Sequence, residues 1–143
     1  PHAWVRPPSS FSLTGRATFS TISGVEYEVE FARPMGKRNE TSVELTFVAR
    51  RPGQRHATVD IINTGESTSV LSTVVAITRE FISAVPIEAL YFSAEQSEPS
   101  RIKLYDRLIR TLMPGWTLEK THHSTAIIYR LHNPNYTSDV STS

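Results

Sequence analysis

The chain has 143 residues, of which 38% are hydrophobic and 20% charged, and its formal net charge is +1. This composition predicts one globular domain with a hydrophobic core, and the small charge gives no reason to expect broad nucleic-acid binding. Cysteine is absent, which excludes disulfides, cysteine-based zinc sites and thiol nucleophiles, and no apolar run is long enough to span a bilayer.

The two ends of the chain lack a regular pattern. Pro7 and Pro8 interrupt any helix, and the residues around them show no strand alternation, so residues 1–15 are predicted to form an irregular N-terminal arm. Residues 133–143 are rich in Asn, Thr and Ser and are predicted to form a polar C-terminal tail. A single α+β domain is therefore expected over residues 16–132.

Alternating apolar residues after the arm predict an antiparallel meander of strands joined by short connections. The strongest alternation covers residues 25–31, where three glutamates separate the apolar residues. The other strands of the meander are expected at residues 17–22, 43–47 and 57–61. The three glutamates share one strand face, which favours a solvated sheet face over a metal site.

Two helices, a strand and a hairpin follow the meander. Apolar residues at helical spacing predict a helix over residues 70–85, and a short apolar run predicts a strand over residues 89–94. A second amphipathic helix is expected over residues 97–113. Residues 116–120 and 125–131 are expected to form a closing hairpin.

This order of elements predicts an α+β fold. Its mostly antiparallel sheet comprises the N-terminal meander, a βαβ-like crossover and the C-terminal hairpin, covered by two main helices. The order resembles the core of the Gcn-type N-acetyltransferase superfamily (GNAT), whose second helix carries an Asn-x-x-Ala-x-x-Leu-Tyr pattern. Leu104 and Tyr105 match the last two places, whereas Glu98 and Arg101 stand where the Asn and the Ala would be.

The resemblance implies acetyl-CoA as a cofactor. In the superfamily, a loop at the N-terminus of the first helix holds the pyrophosphate, as free backbone N–H groups can. The corresponding candidates in this chain are Thr64, Gly65, Ser67, Thr68 and Ser69. A plain N-capping turn is the alternative, because the loop has one glycine and its glutamate would repel a pyrophosphate; in that case no cofactor is expected.

Side chains of the second helix supply the other candidates. The resemblance implies that Tyr105 protonates a departing thiolate, whereas its place on the apolar stripe favours a core residue whose hydroxyl finds a partner. Ser100 and Arg101, near the start of this helix, are predicted to bind an anion or to brace the loop before the first helix. No metal is predicted, because the adjacent His122 and His123 point to opposite faces of a strand.

A second resemblance concerns two stretches of the chain. They resemble a family of small, mostly uncharacterised tailed-phage proteins. The matching residues are Thr64-Gly65 with Val70 and Thr73-Val74, and Phe92-Ser93-Ala94 with Ser100-Arg101 and Leu104-Tyr105-Asp106-Arg107-Leu108. This resemblance implies a phage-encoded protein of the virion or the host cytoplasm.

Three functional hypotheses are compatible with these patterns. The leading one is a binding protein with a degenerate GNAT-like scaffold, whose partner is a phage or host protein. The first alternative is an acyl-CoA-dependent N-acetyltransferase. The second is an accessory protein that binds nucleic acid through basic residues, namely Arg50, Arg51, Arg55, Lys103, Arg107 and Arg110.

Overall fold

The fold is that of a computed structural model, which describes residues 2–36, 40–50, 67–112 and 115–136. The strands within these residues are β1 (Ala3–Ser9), β2 (Thr14–Ser20), β3 (Glu26–Ala32), β4 (Ser42–Arg50), β5 (Ala89–Glu95), β6 (Thr117–His123) and β7 (Ala126–His132). The helices are α1 (Ser67–Ala84), between β4 and β5, and α2 (Pro99–Leu112), between β5 and β6.

All the described strands belong to one sheet with the order β1-β2-β3-β4-β5-β7-β6. Neighbouring strands are antiparallel except β4 and β5, which run parallel because the chain crosses over between them. The predicted α+β fold, with its mostly antiparallel sheet, crossover and closing hairpin, is confirmed. The strand predicted at residues 57–61 lies outside the described residues.

The prediction that residues 1–15 form an irregular arm is wrong for Ala3–Ser9, which forms the edge strand β1. This strand pairs antiparallel with β2, and its register shifts on both sides of Arg6. Pro7 and Pro8 are tolerated because they lie within the register shift between Arg6 and Ser9 of this edge strand, where neither residue has a ladder partner. The shifted register also explains why the sequence of this strand does not alternate.

Contacts with α1 hold the first two strands to the domain. Trp4 of β1 donates a hydrogen bond from Nε1 to Glu80 Oε1 of α1 at 3.1 Å. Gly15 of β2 faces the ring of Phe81, and a Cβ at this position would lie 3.0 Å from a ring carbon. Glycine therefore permits the close approach that lets Phe81 stack on Phe31 of β3, with ring centroids 4.1 Å apart.

The predicted polar tail begins with residues that contact the domain. Asn133 donates from Nδ2 to the carbonyl oxygen of Ile87 at 3.1 Å, and the hydroxyl of Tyr136 donates to Thr41 Oγ1 at 3.1 Å. Residues 137–143 lie outside the described residues. The extent of the tail therefore stays a prediction.

Both helices pack on the same face of the sheet. Phe81 of α1 stacks on Phe31, and Tyr105 of α2 packs against Phe92 of β5 with ring centroids 4.7 Å apart. The two helices also meet each other, since Arg79 Nη2 donates to the carbonyl oxygen of Thr111 at 3.0 Å. In the described part of the chain, the core therefore lies between this helical layer and one sheet face.

The opposite sheet face is polar and partly exposed. On β3 it carries the three glutamates of the alternating strand, Glu26, Glu28 and Glu30. Arg16 of β2 lies 3.9 Å from Glu28, which partly offsets this negative charge. The prediction that these glutamates form a solvated face is confirmed for the described residues.

Tyr129 of β7 provides a test of the core at alkaline pH. Its side chain is fully buried, and its hydroxyl has no hydrogen-bond partner among the described residues. Burial, followed by the negative charge of Asp106, raises the pKa of Tyr129 to about 12. The folded state therefore favours the neutral phenol, and its contribution to stability is lost as pH rises from about 10 to 12.

We predict that Tyr129→Phe changes the free energy of unfolding little at pH 7, because no described hydrogen bond is removed. Between pH 10 and 12, the wild type should lose roughly 2–3 kcal/mol relative to the variant. Urea unfolding at several pH values measures the free energy of unfolding of the wild type and of the variant. A difference between these two free energies that stays constant from pH 10 to 12 would contradict the prediction.

Candidate functional site

The parallel strands β4 and β5 separate soon after they begin. They pair through Ser42 with Ala89, Val43 with Leu90 and Glu44 with Tyr91. The pairing ends there, although β4 continues to Arg50 and β5 to Glu95. In the described residues, the two strand edges that face each other beyond this point make no ladder hydrogen bonds to each other.

A cavity of about 290 Å³ lies where the two strands separate. Leu45, Thr46 and Phe47 line it from β4, and Ser93 and Ala94 line it from β5. The start of α2 closes it with three further side chains, those of Glu98, Arg101 and Tyr105. The cavity therefore combines free strand edges with polar groups of a helix.

Arg101 is the buried cation of this cavity, with a side chain that is 6% exposed. Its Nε donates to Glu98 Oε2 at 3.1 Å, and its Nη1 donates to the carbonyl oxygen of Phe47 at 2.9 Å and to Tyr105 Oη at 3.1 Å. Its Nη2 is buried and has no partner among the described residues. Arg101 thus braces β4, a contact that was not predicted; its predicted contact with the loop before α1 concerns residues outside the described ones and stays a prediction, as does anion binding.

Tyr105 is held in place by aromatic side chains and by Arg101. Its ring packs against Phe92 and Tyr129, with centroids 4.7 and 5.8 Å away. Burial raises the pKa of Tyr105, and the charge and hydrogen bond of Arg101 offset part of this rise. Because the hydroxyl oxygen accepts from Arg101, its own hydrogen stays available for another acceptor.

Glu98 shapes the start of α2. It precedes Pro99, and its carbonyl oxygen accepts from the N–H of Ile102 at 3.1 Å, so it occupies the N-cap position. Its Oε1 accepts from the N–H of Glu95 at 3.0 Å, while Oε2 pairs with Arg101. A carboxylate is favourable near this positive end of the helix dipole, so Glu98 stabilises the start of α2. It also holds Arg101 in place through the contact with Nε.

A second cavity, of about 380 Å³, lies on the side of the sheet opposite the helices. We call it the outer groove. Its lining includes Pro34, Met35, Tyr91, Glu119 and Arg130. Glu44 lines both this groove and the cavity between the strands, because it is the last residue of β4 that pairs with β5.

A hydrogen-bonded network fixes one wall of the outer groove. Tyr91 donates from its hydroxyl to Glu40 Oε1 at 2.8 Å and accepts from Arg130 Nε at 3.0 Å. Arg130 also lies 3.3 Å from Glu40 and 3.7 Å from Glu119. Because two carboxylates contact this one cation, and Glu44 adds a third, the described charged side chains at the groove are net negative.

The predicted phosphate-binding loop is only partly within the described residues. Thr64 and Gly65 lie outside them, and so do the side chains of Ser67 and Thr68, whose backbone begins α1. Ser69 lies in the first turn of α1, and its carbonyl oxygen accepts from Thr73 Oγ1 at 3.0 Å. Phosphate binding here stays a prediction.

Other predicted residues are distributed around α2. The side chain of Ser100 lies outside the described residues. Among the basic residues, Arg51 and Arg55 and the side chain of Arg50 also lie outside them, whereas Lys103 and Arg110 are exposed on α2 and Arg107 is half-buried. Nucleic-acid binding therefore stays a prediction.

Two absences concern the described residues only. No group of three or more histidine, aspartate or glutamate side chains within them is placed to hold a metal ion. No helix in this part of the chain is long and apolar enough to cross a membrane.

Sequence reasoning missed Glu44, the outer groove and the pairing of Glu98 with Arg101. The pair had a local signal, since acid and base are three residues apart on a helix. Glu44 had none, because its importance depends on where the pairing of two distant strands ends.

The sheet order, the crossover and the opened β4–β5 pair form a GNAT-like fold. A chimera of the spermidine N-acetyltransferase SpeG of Vibrio cholerae with hSSAT has a similar fold, with a TM-score of 0.50 and 11% identity over 83% of this chain and 65% of that chain. The GNAT domain of S. lividans PAT aligns with a TM-score of 0.48 and 14% identity over 87% of this chain and 64% of its own. The chain therefore spans less than two thirds of both structures.

At the level of sequence, residues 19–123 match the family of unknown function DUF6934, and the chain belongs to that family. No curated protein sequence matches the chain. The predicted GNAT-like fold is thus confirmed, whereas the predicted phage origin stays a prediction.

The network at the outer groove gives a stability prediction. Tyr91→Phe removes the hydroxyl that joins Glu40 to Arg130, and we expect it to lower the free energy of unfolding by about 1–3 kcal/mol. Tyr129→Phe is the matched control, because the hydroxyl that it removes has no partner among the described residues. Urea unfolding at pH 7 checks both variants, and equal small effects would show that the network contributes nothing.

Proposed function

We propose that this protein is an acyl-CoA-dependent N-acetyltransferase. The observation that carries the proposal is the separation of β4 and β5 beyond Glu44, which opens a cavity beside the hydroxyl of Tyr105. The chimera of similar fold is named a spermidine N-acetyltransferase, which is compatible with this activity. Because fold alone does not imply function, the proposal depends on the residues of the cavity.

The cavity suits the pantetheine part of acyl-CoA. The separated edges of β4 and β5 offer backbone groups to its amides, and the unpaired Nη2 of Arg101 offers a buried donor to an oxygen. Glu44, Glu95 and Glu98 line the same cavity and would repel phosphates. The phosphates would therefore lie outside it, toward the N-terminus of α1, where a helix dipole favours anions.

The two sides of the sheet supply different parts of the reaction. Acyl-CoA, when bound, supplies an acyl group activated as a thioester. Tyr105, on the helical side, holds a hydroxyl hydrogen that no described acceptor uses, and it can donate this proton to the leaving sulfur. Arg101 stabilises the phenolate that remains, since its guanidinium contacts Tyr105 Oη at 3.1 Å.

The outer groove is where the amine would enter. Its net negative charge attracts a protonated amine, and its lining residues Pro34 and Met35 provide apolar contacts for the rest of the acceptor. Glu44 reaches both cavities, so it can remove a proton from the amine nitrogen where the two substrates meet. The free amine then attacks, a new C–N bond replaces the C–S bond, the nitrogen releases its second proton to solvent, and the sulfur leaves as the thiol that Tyr105 protonates.

The first test concerns Tyr105. We expect saturable binding of acetyl-CoA by calorimetry in the wild type and in Tyr105→Phe, because the variant keeps the cavity. With a panel of primary amines, the variant should lose about 10²-fold or more in kcat, because it has no proton to donate.

Tyr136→Phe is the matched control for this test, since its hydroxyl contacts Thr41 and does not line the cavity. It should retain the activity of the wild type. The absence of acetyl-CoA binding in the wild type would refute the proposed function as a whole.

The second test concerns the proton acceptor. Glu44→Gln keeps the size of the side chain and removes its negative charge, so we expect kcat to fall about 10²-fold or more, with acetyl-CoA affinity nearly unchanged. Glu26→Gln, an exposed residue of β3 on the same sheet face, is the control. Steady-state kinetics with varied amine checks both, and an unchanged kcat in Glu44→Gln would exclude it as the base.

A binding protein without transferase activity is the second candidate. It is supported by Arg101, which already uses the carbonyl oxygen of Phe47 at the strand edge where pantetheine would bind. On this hypothesis the protein is a phage-encoded component of the virion or of the infected host cell, and its partner is a phage or host protein. This hypothesis requires that acetyl-CoA does not bind and that no amine is acetylated.

A further inference from the structure

One nitrogen of the buried Arg101 contacts no acceptor within residues 2–36, 40–50, 67–112 and 115–136. Nε and Nη1 contact three oxygens, those of Glu98, Phe47 and Tyr105. Nη2 carries two N–H groups, is buried, and has no partner among the described residues. Leaving such a donor unpaired is costly in a folded protein, so its position favours an acceptor from a ligand where the described residues offer none.

The charges around Arg101 select the chemistry of that acceptor. Glu98 neutralises the guanidinium at 3.1 Å, and Glu44 and Glu95 line the same cavity. A carboxylate or phosphate would meet net negative surroundings here. A neutral carbonyl oxygen can still accept a hydrogen bond from Nη2, so it fits the site better than an anion does.

We propose that Nη2 of Arg101 binds the carbonyl oxygen of the acyl thioester and stabilises the negative charge that this oxygen gains during transfer. The inference rests on the proposed acetyltransferase function and adds a further catalytic residue to it. Arg101 gives a hydrogen bond and keeps its proton. The C–N bond forms, the C–S bond breaks, and the electron pair of the C–S bond goes to sulfur, which takes its proton from Tyr105.

The orientation of this donor is set before any ligand binds. Nη1 contacts the Phe47 carbonyl oxygen of β4 and Tyr105 Oη of α2, and Nε contacts Glu98, so the planar guanidinium is fixed at two of its three nitrogens. The third nitrogen therefore points in one direction without further loss of freedom. Donors that are fixed in this way stabilise developing charge more than flexible donors do.

The same guanidinium also couples two events. Through Nη1 it holds the hydroxyl that protonates the sulfur, and through Nη2 it contacts the oxygen on the carbon that bears that sulfur. One residue therefore positions both the proton donor and the carbonyl. This dual contact explains why an arginine suits the position, since lysine presents a single charged nitrogen.

Paired ligands test the carbonyl contact directly. Acetyl-CoA has the thioester oxygen, whereas S-ethyl-CoA is a thioether of nearly the same size without it. We expect the wild type to bind acetyl-CoA about tenfold more tightly by calorimetry. Arg101→Ala should bind both compounds alike, and Arg110→Ala, an exposed residue of the same helix, should keep the wild-type preference.

Kinetics and rescue separate catalysis from a structural role. Arg101→Ala should lose about 10²–10³-fold in kcat with little change in KM for the amine, and guanidinium ion at millimolar concentration should restore part of the loss. Arg101→Lys keeps a positive charge but lacks the planar guanidinium. Its kcat should therefore lie between those of the wild type and of Arg101→Ala. If circular dichroism shows that Arg101→Ala does not fold, the relative affinity of Arg101→Lys for acetyl-CoA and S-ethyl-CoA tests the carbonyl contact instead.

The outcomes distinguish this inference from the proposed function. Equal binding of both compounds by the wild type, or full activity in Arg101→Ala, would refute the role of Arg101 and leave the acetyltransferase proposal intact. If the wild type binds neither compound, the proposed function fails, and the role of Arg101 fails with it.

Discussion

The hydrogen bond from Arg101 to the carbonyl oxygen of Phe47 is the contact on which the rest of the site depends. It joins α2 to β4 where β4 has already left β5, so it replaces one of the ladder contacts that the separation removes. A buried arginine is stable there only because its charge is paired by Glu98 and its Nη1 has two acceptors. The opening in the sheet and the buried cation therefore require each other.

Placing both helices on one sheet face gives the two cavities different characters. On the helical side, Tyr105 and Arg101 lie among aromatic rings in a buried environment, where hydrogen bonds and charges act strongly. On the other side, the outer groove is partly exposed and carries fixed carboxylates. Glu44 stands between them because pairing of β4 with β5 ends at that residue. The topology thus places the hydroxyl of Tyr105 and the carboxylate of Glu44, the proposed proton donor and acceptor, on opposite sides of one sheet.

The sequence predicted elements whose signal is local and missed those whose cause is distant. Alternation in β3 and helical spacing in α2 predicted both elements, because each pattern repeats within a few residues. The edge strand β1 was missed, because its prolines and shifted register remove alternation and its pairing with β2 is tertiary. The contact of Arg101 with Phe47 joins residues 54 positions apart, so no local pattern could reveal it. Only the departures from the GNAT pattern at Glu98 and Arg101 hinted at an unusual site.

Those two departures are best understood together. An arginine alone near a helix N-terminus would oppose the helix dipole, and a glutamate alone would place an unpaired carboxylate beside a cavity. Because Glu98 and Arg101 form an ion pair three residues apart, their charges offset each other. Glu98 also serves as the N-cap of α2. The Glu98–Arg101 pair therefore leaves this part of the cavity neutral, with Nη2 of Arg101 as a donor that no described residue uses. Under the proposed function, such a site suits an uncharged acyl group, whereas an acyl group that ends in a carboxylate would face Glu44 and Glu95 with no free cation among the described lining residues to offset them.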